Sequence, residues 1–327
     1  MSGPAPHGAG VTERRQEVMD KAIPLALLAS LCTATSSVCQ RLGARDSQPA
    51  PGLDIWLVFR LARRPIWLAG IASMILGFVF QVTALHYGAL ALVQPILALE
   101  LLFVFGYMAF LTSRNVRRRD WLAAASMSAG IALFLFAASP SGGRQHAPAS
   151  LWVLAGLLTL AVVLAGLAVA TWRQHRAPAA LAQRAAILGS VTGISWGFVA
   201  AVIKEFSYHL SGGLSSIFSN WSVYVLIGAG AASLILASHA LAAGPLAASQ
   251  PGFTILDPLA ASLLGLFLFG EHFGATTADL ALEALALALL ISGVSALSHS
   301  HLIDGEEEAA TADDVDGRIV RQSPSPG

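Results

Sequence analysis

Formal charge is scarce in this chain. Asp, Glu, Lys and Arg make up 12% of 327 residues, about half the ~25% usual in a soluble domain. Lysine is nearly missing: only Lys21 and Lys204 accompany the arginines among 19 basic residues. Acidic and basic residues balance to zero, so no basic face invites nucleic acid, and no nucleic-acid partner is expected. Cysteine is limited to Cys32 and Cys39. Seven residues along one proposed helix separate them by ~10 Å, too far for a disulfide. No Gly-Lys phosphate loop, zinc-ligand spacing or dinucleotide fingerprint occurs, so no cofactor is expected. Gly193-Ile194-Ser195-Trp196-Gly197 matches the hydrolase elbow in letters only. That motif needs a strand-to-helix turn, and this one sits inside an apolar run. No nucleophile–base pair stands out, and an enzyme is not expected.

What the chain does hold is long uncharged runs. Hydrophobic residues account for 55% of positions, and mean hydropathy is +0.67. Ala22–Gln40, Pro65–Leu85, Trp121–Pro140 and Ala185–Ile203 contain no formal charge, and neither does Ser211–Leu256. Each shorter run approaches the ~20 residues a helix needs to cross ~30 Å of hydrocarbon. The chain therefore reads as an all-α integral membrane protein. Nine spans are expected, near 22–42, 65–87, 89–111, 120–139, 150–172, 184–207, 220–241, 245–269 and 278–299. Residues 1–21 and the acidic stretch 300–327 read as disordered tails, and 46–64 as a connector holding a short interfacial helix. Trp67, Trp121, Trp152, Trp172 and Trp221 fall at span ends, where interfacial anchors belong.

Arginine orients the chain. Arg41, Arg45, Arg60, Arg63 and Arg64 lie between spans 1 and 2. Arg114 and Arg117–Arg119 lie between spans 3 and 4, and Arg173, Arg176 and Arg184 between spans 5 and 6. The alternate loops hold Arg144 alone. Positive-inside bias puts the arginine-rich loops in the cytoplasm of a plasma-membrane protein, with an external N-terminus.

One pattern repeats. Gly88, Gln94 and Pro95 recur as Gly244, Gln250 and Pro251, 156 positions later, each opening a long apolar span after a turn. Spans 1–4 (22–140) and 6–9 (184–299) then form two four-helix repeats, with span 5 (150–172) as the link. One intervening span inverts the second repeat, a common plan of secondary transporters.

The stretches Gly77–Leu111 and Arg117–Ala138 resemble the drug/metabolite transporter superfamily, EamA-like. The lack of a full span between the first helix and the Trp67-Leu68-Ala69-Gly70 helix resembles its NIPA-like branch. The resemblance implies small-solute transport, and through that branch a divalent-cation (magnesium) pathway as the alternative. Many relatives carry an acid after the Pro-containing helix. The second half keeps Gly270-Glu271, while the first reads Thr112-Ser113-Arg114-Asn115.

Candidate site residues follow from the cost of polarity in hydrocarbon. Pro95 and Pro251 each remove a backbone donor and free a carbonyl, which reads either as a pair of broken helices lining a pathway or as ordinary kinks. Gln94, Gln250 and Gln81 add polar lining. Glu100 and Asp257 lie near mid-span, where an ionised carboxylate costs about 2.5–3.5 kcal/mol and faces a cavity or partner. They are the candidate substrate or proton site, with local helix capping as the alternative for Asp257. Lys204 and Glu205 end span 6, where long side chains snorkel to the interface. A gate involving Lys204, Glu205 and Glu283 is the alternative, with Glu283 pairing Lys204. Gly189, Gly193 and Gly197 make a smooth ridge for close helix packing.

These readings converge on a secondary transporter of a small solute or ion working by alternating access. Its expected partners are that solute, the bilayer and a second copy in a homodimer; any metal is left open. The rival from another class is a non-transporting membrane scaffold.

Overall fold

The computed structural model describes residues 9–44, 63–112, 117–138, 143–173, 179–210, 216, 218–243, 246–271 and 277–298, with no strand among them. The helices are α1 (Ala9–Ala44), α2 (Pro65–Tyr87), α3 (Leu90–Leu97), α4 (Glu100–Thr112), α5 (Arg118–Ala138), α6 (Ala149–Arg173), α7 (Ala179–His209), α8 (Trp221–Ala242), α9 (Leu246–Leu264) and α10 (Thr277–Ser298). A π-turn, Gly265–Phe269, extends α9. Seven spans are long and apolar enough to cross a membrane, with α3 and α4 counted together as Leu90–Leu111. Backbone polarity in lipid is tolerated when hydrogen bonds close within each helix. The chain is an all-α, multi-pass membrane protein.

The fourth and ninth expected spans are helical, as α5 and α10. Two features differ from the sequence reading. First, α1 begins at Ala9, inside the stretch read as a disordered tail. Second, Trp152 is not an interfacial anchor. It is 6% exposed in the largest core cluster, whereas Trp121 and Trp172 stand 60% and 61% exposed. The interfacial helix expected before residue 63 and the acidic tail beyond 298 lie outside the described residues.

Glycine sets the closest packing. Along α7, a Cβ on Gly189 would meet Ser249 O of α9 at 2.3 Å, and one on Gly193 would meet Gly252 O at 2.4 Å. One on Gly197 would meet Ala261 N and Asp257 O at 2.8 Å. The expected ridge is thus a packing surface, and α7 and α9 run parallel along it. On the other side of the bundle α5 and α10 run antiparallel, with reciprocal contacts. Gly130 presses on Ala286 and Leu290, and Gly293 on Ala123 and Met127. An offset of 163 positions carries each of these residues onto its counterpart. Ser126 Oγ bridges the pair to Leu289 O (2.9 Å) and Ser292 Oγ (3.1 Å). The bundle rim carries large exposed side chains such as Leu157 and Leu164 on α6, which suits contact with acyl chains.

Candidate functional site

The third span is interrupted at its middle. Pro95 inside α3 removes the amide that would bond Ala91 O. Three residues on, the helix gives way to a turn at Ala98–Leu99, where Leu99 N bonds Ile96 O at 3.0 Å. Glu100 is the first residue of α4. Ten residues from the span's start at ~1.5 Å each put it ~15 Å deep, half the hydrocarbon thickness. A helix N-terminus presents unpaired amides and a positive dipole end, which favours an anion there. Ser37 of α1 donates its hydroxyl to Glu100 Oε1 at 3.0 Å.

Asp257 reaches the same place from the other half of the chain. It lies midway along α9 and its π-turn, its backbone seated against Gly193 and Gly197 of α7. Its carboxyl lies within electrostatic range of that of Glu100. Oδ1 of Asp257 is buried with no hydrogen-bond partner among the described residues. Gln94 is 3% exposed, and its Nε2 is likewise buried without one. The structure therefore places Glu100 and Asp257 within electrostatic range of one another, with Gln94 and Pro95 one to two turns from Glu100 on the same interrupted span.

The expected symmetry of broken helices does not hold. α9 stays helical through Pro251 and Pro258 and departs from α-geometry only at Gly265–Phe269. Gln250 and Pro251 lie in α9, opposite in depth to Gln94, because α3 starts where the π-turn ends. Gln81 is half-buried on α2.

A second polar group closes one end of the bundle, and here the sequence reading needs correction. Lys204 and Glu205 do not snorkel. They are 3% and 0% exposed. Lys204 Nζ pairs with Glu271 rather than Glu283, and lies over the Phe269 ring at 4.7 Å. The Glu271 carboxylate also accepts Leu90 N (2.6 Å) and Ala91 N (2.9 Å). It thereby caps α3 from across the chain, at the helix end where an anion is stabilised. Gly265 leaves room for it, since a Cβ there would meet Glu271 Oε2 at 2.3 Å. Gly270, left-handed at φ 63°, turns the chain so that Glu271 points back. Arg144 fastens the adjoining segment, bonding Phe269 O through its backbone N–H (2.7 Å) and Leu268 O through Nε (3.2 Å).

Glu205 is equally enclosed. It pairs with His146, accepts Ala147 N (3.2 Å) and Trp152 Nε1 (3.3 Å), and lies 3.7 Å from His209 Nε2. His86 at the end of α2 donates from Nδ1 to Ser207 O (3.2 Å), tying α2 to α7. Glu283 is half-buried in the second turn of α10. The sequence reading missed Glu271 as Lys204's partner, although Gly270-Glu271 had stood out as the acid kept in one half only. It also missed His146.

No protein-family model matches the chain, and no solved structure does. It is 29% identical over 281 residues, 85% of this chain and 94% of the other, to a protein of Corynebacterium glutamicum described only as uncharacterized.

Proposed function

We propose that this chain is a secondary transporter of the drug/metabolite type, built from inverted repeats and moving a small cationic solute, or a solute coupled to protons, across the plasma membrane. The observation that carries the reading is the meeting of Glu100 and Asp257 at mid-depth, one from each half, beside an interrupted helix. Two carboxylates held together in a low-dielectric interior attract a neutralising cation, either a proton or the charged group of a solute, and intramembrane acids of this kind mark translocation pathways.

The repeat is supported by register. An offset of 156 maps Ser37 onto Gly193 and Gln94 onto Gln250. Ser37 faces Glu100 across α1 and α4, and Gly193 faces Asp257 across α7 and α9. Reciprocal α5–α10 contacts are what a two-fold relation between halves produces. Alternating access would rock one half against the other about this pair.

The test combines water access with phenotype. In a background with Cys32→Ser and Cys39→Ser, single cysteines at Ala98, Leu99, Leu102 and Phe103 are exposed to a membrane-impermeant thiol reagent. Periodic labelling is expected; complete protection of all four argues for a sealed bundle and against transport. A strain overproducing the chain is compared with a deletion strain across a panel of toxic organic cations and metal salts. Any tolerance difference should vanish in Glu100→Gln/Asp257→Asn. A difference that survives that double change rules the site out.

A further inference from the structure

Among the described residues, His146, Glu205 and His209 bring one ligand-capable atom each to within 4.8 Å of one another. They lie at the end of the bundle, away from the Glu100–Asp257 site on which the transport reading rests. We propose that they form a binding site for a divalent transition-metal ion of the zinc class. The proposal stands whether or not the chain transports anything.

The donor set comes first. Two imidazoles and one carboxylate suit zinc and its neighbours, and three protein ligands leave a fourth position for water or a solute. Magnesium and calcium prefer all-oxygen shells. Exposure is graded to match: the Glu205 side chain is fully buried, that of His209 17% exposed and that of His146 51% exposed. An ion would enter past His146 and keep an open side toward water.

The hydrogen bonds then fix which atoms are available. Asn220 caps α8, its Oδ1 accepting Ser222 N at 2.9 Å. Its amide nitrogen is therefore the group directed at His209 Nε2, 2.8 Å away. That ring nitrogen must accept, so it carries a lone pair, the form that binds metal. It faces Glu205 Oε1 at 3.7 Å. That lone pair now takes the Asn220 amide, and an ion between the two acceptors would replace that donor. The other carboxylate oxygen is held by Ala147 N and Trp152 Nε1, which orients the carboxylate and leaves Oε1 toward the ion. His146 Nδ1 now donates to that same oxygen and would give up its proton on metallation. Zinc–ligand lengths of ~2.0–2.2 Å put tetrahedral donors ~3.4 Å apart, so the widest pair must contract by roughly 1–1.5 Å. Rotation of the half-exposed His146 side chain supplies such a movement. An ion there would clip the 143–148 segment to α7, and that segment already grips Leu268 and Phe269 beside the Lys204–Glu271 pair.

The purified full-length chain in detergent, stripped with a chelator, is titrated calorimetrically with Zn²⁺, Mg²⁺ and Ca²⁺. One Zn²⁺ per chain is expected, weakened at least ~10-fold by His146→Ala or His209→Ala and lost in the double variant. Zn²⁺ should also raise the melting temperature of the wild type and leave that of the double variant unchanged, with both folded in chelator by circular dichroism. Equal Zn²⁺ affinity in wild type and double variant overturns the site. So does Mg²⁺ binding that competes with Zn²⁺ on equal terms.

Discussion

Glu271 and Glu205 at one end of the bundle, and Glu100 and Asp257 at its middle, are the same functional group under opposite conditions. Glu271 receives two backbone amides and the Lys204 ammonium. Glu205 receives an amide, an indole and an imidazole. Among the described residues, Glu100 accepts one serine hydroxyl, and Asp257 Oδ1 has no donor and lies within electrostatic range of Glu100. Buried polar atoms are nearly always satisfied, so an exception calls for an explanation. The enclosed pair behaves as a fastening between distant segments. The under-satisfied pair behaves as a site kept open for something that comes and goes.

The largest expected effect strikes the fastening. Glu271→Ala leaves Lys204 buried without its anion and α3 without its cap, and removing one partner of such a pair costs about 3–5 kcal/mol. Thermal unfolding in detergent should register that loss. Lys204→Met should cost less, since Glu271 keeps its two amides. Lys204→Met combined with Glu271→Gln should recover part of the single Glu271→Ala loss. If Glu271→Ala melts like the wild type, the enclosed pair is not holding the bundle, and the contrast between the two regions collapses.

Next comes the helix contact that seats Asp257. Gly189→Val pushes a side chain into Ser249 O, already 2.3 Å from where a Cβ would stand. Overpacking of this kind costs about 1–3 kcal/mol, whereas Gly228→Val, with nothing within 4 Å of its Cβ position, should leave melting unchanged. Trp152→Phe ranks below it. It keeps the ring packing and removes one donor from Glu205, about 1 kcal/mol. A loss as large as that of Glu271→Ala would mean the indole bond carries far more than one hydrogen bond's worth.

The sequence made some of this legible. Charge-free runs of ~20 residues identify spans because the bilayer fixes their length, and the Gly189–Gly197 spacing marked a packing ridge that the structure uses. Mid-span acids stood out because charge there is costly. The Lys204–Glu271 pair was hidden by distance, 67 positions along the chain. A lysine at a span's end ordinarily reaches water. Here Phe269 lies over it and Glu271 pairs with it, and that is a tertiary fact. Pro251 misled in the opposite direction. It removes a donor, as does Pro258, yet α9, packed on the α7 glycines along Ser249–Ala261, stays helical through both. Pro95, without such a rail, precedes a break.

The smallest effect on stability is expected where function is concentrated. Glu100→Gln/Asp257→Asn removes a repulsion and puts amide groups where carboxylates had few donors, so melting should stay within about 0.5 kcal/mol of wild type or rise. Ser37→Ala, which removes a hydroxyl donated to Glu100, should be similarly mild. The same double variant is the one expected to abolish any transport phenotype. Stability kept and activity lost is the signature of a site held against the interests of the fold. If the double variant instead unfolds as Glu271→Ala does, Glu100 and Asp257 are structural after all, and the two regions of the bundle obey one rule.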